Sequence, residues 1–163
     1  MNVLFIQTGG TIDKGYPKTN KGYAFEIVEP AFLPILKRAG VSRVDSVALF
    51  KKDSTEITDS DRSQLKKLIK ESEQKQVVVT HGSDTLIETA RFVGNIPGKT
   101  IVFTAAFLPE AFKESDADFN LGMAVGVVQT KNEGTYICMQ GEVFLPNECI
   151  KHKENGKFQY NNE

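Results

Sequence analysis

Apolar residues gather in short strand-like runs at Val3–Ile6, Val44–Phe50, Val77–Val79, Ile101–Phe103 and Tyr136–Met139. A half-exposed strand alternates apolar and polar positions. An unbroken run is covered on both faces, as strands of a parallel sheet are. Between the runs the spacing becomes helical. In Thr58–Ser72, Leu65, Leu68 and Ile69 share one face, and Thr58 followed three residues on by Asp61 reads as a capping box. Ser83 reads as the cap of a helix carrying Leu86, Ala90 and Val93. Leu121, Ala124, Val125 and Val128 mark another. Pro30 fits the first turn of a helix over Pro30–Ala39, which Pro34 shortens. Strand–helix alternation of this kind predicts an α/β fold: a doubly wound, mostly parallel sheet with helices on both faces.

Two stretches depart from the alternation. Lys14–Glu26 is polar and turn-rich, and reads as a mobile loop, a β-hairpin excursion, or both. The segment from Lys151 to Glu163 is polar and reads as frayed or linker-like.

A length of 163 residues suits a single domain, and 40% hydrophobic with 25% charged residues is ordinary for a globular one. The net charge of −1 offers no basic footprint for nucleic acid or anionic lipid. No apolar run approaches the ~18 residues of a membrane span. Met1–Ile6 has no basic n-region of a signal peptide, so a cytoplasmic location is expected. Cys138 and Cys149 then read as reduced thiols. Neither a metal nor a cofactor is expected. Two histidines, His81 and His152, supply no zinc-type ligand set. Gly9-Gly10 does not complete a dinucleotide fingerprint, and Gly98-Lys99-Thr100 enters a strand where a phosphate loop would open a helix.

Candidate chemistry lies in two turns. Thr8-Gly9-Gly10-Thr11-Ile12 and Thr80-His81-Gly82-Ser83-Asp84-Thr85 each leave an apolar strand through glycine and present a hydroxyl. In open α/β sheets such turns sit at the strands' carboxyl ends, where ligands bind. Two hydroxyls there, one beside a carboxylate, suit nucleophilic hydrolysis. His81 and Ser83 are too close in sequence for a Ser-His-Asp triad, so His81 is assigned to supporting its turn. Taken singly, Ser83, Asp116 and Lys151 also have ordinary readings as caps and a surface lysine.

Together these residues resemble the bacterial-type L-asparaginase family. Thr8–Ile12 is similar to its amino-terminal signature, which implies Thr11 as nucleophile. Gly22-Tyr23 resembles the loop bearing a catalytic tyrosine, which implies Tyr23, with Tyr16 the weaker match. Asp53-Ser54-Thr55 resembles the segment whose serine holds a substrate α-carboxylate, which implies Ser54 beside Asp53. Thr80–Thr85 resembles the second signature. That implies Ser83 (mostly threonine in the family) as second catalytic hydroxyl, with Gly82 lining the pocket and Asp84 holding the α-amino group. Ser115–Leu121 is similar to a helix entry of the family, and Lys151 matches the lysine of its second triad.

The resemblance implies an amidohydrolase that cleaves a side-chain amide, of asparagine or a related small molecule, to carboxylate and ammonia. Thr11 would be activated by Tyr23 or through Ser83, Asp84 and Lys151. A lysine beside a carboxylate favours its ammonium form, which suits polarising Ser83 and relaying a proton. Backbone N–H groups at Gly10 and Gly82 are candidate oxyanion donors. The family's smaller carboxyl-terminal domain has no counterpart in residues 1–163. The flank it would cover predicts a homodimer or higher homo-oligomer. A second reading stays open: a non-catalytic amino-acid or small-acid binding module, or a subunit of a larger complex.

Overall fold

A computed structural model describes residues 1–17, 24–41 and 43–161. In chain order the elements are β1 (Val3–Gly9), β2 (Lys14–Gly15), β3 (Glu26–Ile27), α1 (Phe32–Arg38), β4 (Asp45–Lys52), α2 (Asp59–Glu71) and β5 (Gln76–Thr80). Then come α3 (Leu86–Val93), β6 (Thr100–Thr104), α4 (Ala117–Thr130), β7 (Gly134–Met139), β8 (Glu142–Phe144), β9 (Cys149–Lys151) and β10 (Phe158–Tyr160). Among the described residues one six-stranded sheet has the order β4-β1-β5-β6-β7-β8. Its first five strands are mutually parallel and β8 joins antiparallel. This is the expected doubly wound α/β architecture.

Pleating sends alternate side chains of each central strand to opposite faces. Leu4, Ile6, Val77, Val79, Ile101 and Phe103 pack on Leu65 and Ile69 of α2 and Leu86, Ala90 and Val93 of α3. Val3, Phe5, Val78 and Val102 pack on Phe32 and Ile35 of α1 and Leu121, Ala124 and Val128 of α4. Both faces of these central strands are therefore dry, whereas β4, expected from Val44–Phe50 to be covered on both faces, is an edge strand with no buried residue.

The strand order reverses at β1. The chain leaves β1 for β4 on one side and returns to β5 on the other, so the carboxyl ends of β1 and β5 flank the crevice where open sheets bind ligands. The helices also fix handedness. The connections β5-α3-β6 and β6-α4-β7 step the same way across the sheet but run over opposite faces. They therefore have opposite hands. The crossovers through α1, α2 and α3 agree with one another, and right-handed crossovers prevail overwhelmingly, so the one through α4 is left-handed. To reach that face, residues 105–116 pass over the sheet's carboxyl edge, where Glu110 N–H donates to the Ile12 carbonyl at 3.1 Å.

Several local expectations change. Thr58 and Asp61 do form a capping box. Ser83 caps no helix, because α3 begins only at Leu86 with Thr85 as its N-cap residue. Pro34 sits in the first turn of α1, where a missing N–H costs no helical bond, so the helix runs through it; Pro30 precedes it. Lys14–Glu26 contributes the outer part of a short antiparallel ladder, Lys14 opposite Ile27 and Gly15 opposite Glu26. The described residues after Lys151 are not frayed, and 162–163 lie outside the described residues. β10 pairs with β9, and Phe158 and Cys149 enter the core beside Phe144.

Candidate active site

Three turns meet at the reversal point. Gly9 and Gly10 have φ of +106° and +88°, a region open to glycine and strained for other residues. A Cβ on Gly9 would lie 2.3 Å from the Lys52 carbonyl oxygen, and one on Gly10 would lie 2.3 Å from Gly82 Cα. A Cβ on Gly82 would in turn meet Ser54 Cβ at 2.5 Å and Oγ at 2.6 Å. The glycines thus let the backbones after β1 and β5 touch, with Ser54 against them. Thr8 Oγ1 donates to the Thr80 carbonyl at 2.8 Å, and Thr85 Oγ1 donates to the Ser54 carbonyl at 2.7 Å.

Thr11 opens a short 3-10 turn, Thr11–Asp13, directly after this contact and is half-buried. Lys151, at the end of β9, donates to Ser83 Oγ at 3.1 Å and to Asp84 Oδ1 at 2.6 Å. Its placement comes from the terminal hairpin. Arg91 of α3 donates to the Pro146 and Cys149 carbonyls, and Gln140 Oε1 accepts the Phe158 N–H at 2.8 Å. Gly156 folds back close to the Lys151 stem.

Ser54 is buried. Asp53 is locally employed: it caps the turn Ser54–Glu56 and pairs with Lys14 at 3.2 Å. The Thr55 backbone N–H, with Lys14 behind it, holds its carboxyl below the usual aspartate value. His81 is fully buried, and its Nδ1 lies 2.9 Å from the Gly82 carbonyl, which makes Nδ1 the protonated nitrogen. Burial pushes its pKa down to about 4, so it stays neutral and braces the turn as expected. Tyr23 lies outside the described residues. Tyr16 is exposed and stacks on Phe25, which stacks on Phe112. One expected donor is lost: Gly10 N–H is spent on the Lys52 carbonyl at 3.0 Å and cannot face an oxyanion.

Asp116 likewise serves structure. Its carboxylate accepts from the Phe107 and Leu108 N–H groups and from Asn120, whose Nδ2 also reaches the Ala105 carbonyl. Among the described residues no cluster of His, Cys, Asp or Glu could hold a metal ion. No helix among them is long and apolar enough to cross a membrane.

The family model for the asparaginase amino-terminal region matches residues 2–160. The chain belongs to the asparaginase family. It is 28% identical over 163 residues to a glutaminase-asparaginase of Acinetobacter glutaminasificans, covering 92% of this chain and 49% of that one. It is 35% identical over 154 residues to a glutamyl-tRNA(Gln) amidotransferase subunit of Thermofilum pendens, covering 86% and 34%. The thermostable L-asparaginase of Thermococcus kodakarensis superposes with a TM-score of 0.83 at 28% identity, over all of this chain and 52% of that one. This asparaginase-family chain thus spans about half the length of such relatives, or less.

Two features of the site escape sequence reasoning. Asp13 is an acid in a buried turn, carrying no periodic signature. Lys14 reaches Asp53 only because β4 lies beside β1. A carboxylate directly after Ile12, between two strand-like segments, is the available signal for the first.

Proposed function

We propose that this asparaginase-family hydrolase cleaves the side-chain amide of asparagine or a related small amide through Thr11. The observation that carries the reading is the Gly10–Gly82 backbone contact, with the Lys151 ammonium bridging Ser83 and Asp84 beside it. It is a site of small-amide chemistry in a family of amidohydrolases.

Thr11 Oγ attacks the amide carbonyl carbon, and its proton passes to the departing nitrogen through Ser83 and Lys151. The C–N bond breaks, ammonia leaves, and an ester to Thr11 remains. Water, delivered over the same hydroxyls, adds to that ester and restores Thr11 with release of the carboxylate. Lys151 polarises Ser83 and relays the proton. Asp84 turns its second oxygen to the substrate ammonium, and Ser54 donates to the α-carboxylate. The proton groups work by position, since a mislocation of about 1 Å can cost ~10²-fold in rate.

Purified protein offered L-asparagine, L-glutamine, D-asparagine and simple amides should release ammonia from at least one, and Thr11→Ala should abolish it. No release from any of them, with aspartate still raising the melting temperature, would leave a binding module. We assign the domain to a homodimer or higher homo-oligomer in the cytoplasm. The exposed apolar flank of Tyr16, Phe25 and Leu108 supports association, and two buried free thiols suit a reducing compartment. A monomer by light scattering at micromolar concentration would refute the first.

A further inference from the structure

We propose that Asp13 is a positioning residue for Thr11: its carboxyl, protonated on Oδ2, latches residues 28–31 to the turn that presents the hydroxyl. The proposal rests on the hydrolase reading above for its consequence in rate, but its structural part stands separately.

The geometry is a clamp. Asp13 is 1% exposed. Its Oδ1 accepts the Ala31 N–H at 2.7 Å at the entry to α1, and its backbone carbonyl accepts the Val28 N–H at 2.9 Å. From β1, Gln7 Nε2 donates to the Val28 carbonyl at 3.0 Å. On the other side Glu110 N–H holds the Ile12 carbonyl. The turn Thr11–Asp13 is therefore tied both to the segment returning toward α1 and to the segment crossing from β6.

The polar inventory of this pocket is short of a donor. Asp13 Oδ2 and Gln7 Oε1 are both buried and make no hydrogen bond, and the Gln7 amide group, close enough to favour the charged carboxyl, is committed through Nε2 to the Val28 carbonyl. A buried acceptor left unpaired is costly, and an unpaired carboxylate charge more so. A proton on Oδ2 removes the charge and supplies the missing donor. The neighbouring charges do not replace it. Lys51, whose cation bears on the carboxyl from β4, pairs with Glu29 at 3.2 Å. Lys14 on β2 pairs with Asp53, and Glu110 pairs with Arg38 at 2.6 Å. Glu26 lies opposite Gly15 on β3. Burial accordingly pushes the Asp13 carboxyl from 3.8 up to about 7. Above that pH the charged side chain leaves for water or Lys51, Ala31 loses its acceptor, and the turn bearing Thr11 loosens.

The test uses the full chain. Asp13→Asn keeps the acceptor for Ala31, offers an N–H where the acid carries its proton, and cannot ionise. Wild-type kcat for ammonia release should fall as pH rises through about 7. Asp13→Asn should hold its low-pH rate across that range. Below pH 7 Asp13→Ala should lose about 10²-fold in kcat against wild type, with a smaller change in KM, and the gap should close as pH rises above 7. Hydrogen exchange at the Ala31 amide, corrected for its intrinsic pH dependence, gives a readout without turnover. It should accelerate above pH 7 in the wild type and stay protected in Asp13→Asn. If Thr11→Ala abolishes turnover while the Asp13→Asn and wild-type profiles superimpose, the latch is wrong and the hydrolase stands. If no variant turns over but Ala31 exchange responds as described, the hydrolase fails and the clamp survives without its catalytic consequence. Equal protection of Ala31 on both sides of pH 7 in the wild type overturns the clamp itself.

Discussion

Replacing Gly10 by alanine should be severely destabilising, because two separate costs fall on one methyl group. Gly10 sits at φ 88° and ψ −176°, a region essentially closed to residues with a Cβ, and holding one there costs about 1–3 kcal/mol. The new Cβ would also lie 2.3 Å from Gly82 Cα and 2.4 Å from Gly82 N. These are backbone atoms of the turn that follows β5 and cannot swing aside as a side chain would, so an overpacking cost of about 1–3 kcal/mol adds to the first. The sum, about 2–6 kcal/mol, is a large part of the ~5–15 kcal/mol that holds a domain of this kind folded. Urea unfolding followed by circular dichroism gives the difference directly. Gly122→Ala is the control: Gly122 lies in α4 with nothing within 4 Å of its added Cβ. It should stabilise by about 0.5–1 kcal/mol through helix propensity. A Gly10→Ala protein within about 1 kcal/mol of wild type would mean that the two glycine turns do not touch, and the site would have to be rebuilt.

Other variants read other parts of the structure. Lys151→Met should lower turnover by about 10²–10⁴ yet change stability by no more than about 1 kcal/mol, since its partner Asp84 is 60% exposed; a stability loss matching the rate loss would make the lysine structural. Folded His81 releases its proton at about 4, against 6.5 unfolded, so the unfolded chain binds the extra proton in between. The stability His81 contributes is complete above 6.5 and lost as pH falls through about 4, a swing of about 3 kcal/mol. Asp13 slopes the opposite way between 3.8 and about 7. Between about pH 4 and 6.5 the two slopes offset each other, so unfolding free energies at several pH values should show Asp13→Asn tilting the profile toward a rise with pH and His81→Gln tilting it toward a fall; unchanged slopes in both variants contradict the burial of these groups. Phe158→Ala should cost about 3–5 kcal/mol and release Lys151 from Ser83. A loss under 1 kcal/mol would return the final segment to the frayed state its polarity suggests.

The strands of the sheet centre are legible because burial on both faces leaves no charged position in β1, β5 or β6 to interrupt the run. The glycine turns are legible for a related reason: only a close backbone approach explains glycines followed by hydroxyls at two strand ends. The terminal hairpin is not. β9 and β10 are three residues each, and of the latter only Phe158 is buried, so no periodicity announces them. Ser83 illustrates a competing principle. A serine shortly before the apolar helical pattern that starts at Leu86 is a reasonable cap, but the turn through Thr85 delays α3 and frees the hydroxyl for Lys151. The left-handed crossover through α4 has no local signature either, because Leu121, Ala124 and Val128 specify an apolar face without saying which side of the sheet receives it. Gly10 N–H reads as an oxyanion donor from sequence because its true acceptor, the Lys52 carbonyl, is far away along the chain, and only parallel pairing of β1 with β4 delivers it.

Rapid acid quenching during turnover of L-asparagine, followed by peptide mass mapping, puts the nucleophile itself on trial. The peptide containing Thr11 should carry an aspartyl ester on that side chain, and Thr11→Ala should carry none. An ester found on Ser83, or ammonia released with no acylated peptide and undiminished by Thr11→Ala, would remove Thr11 from the chemistry.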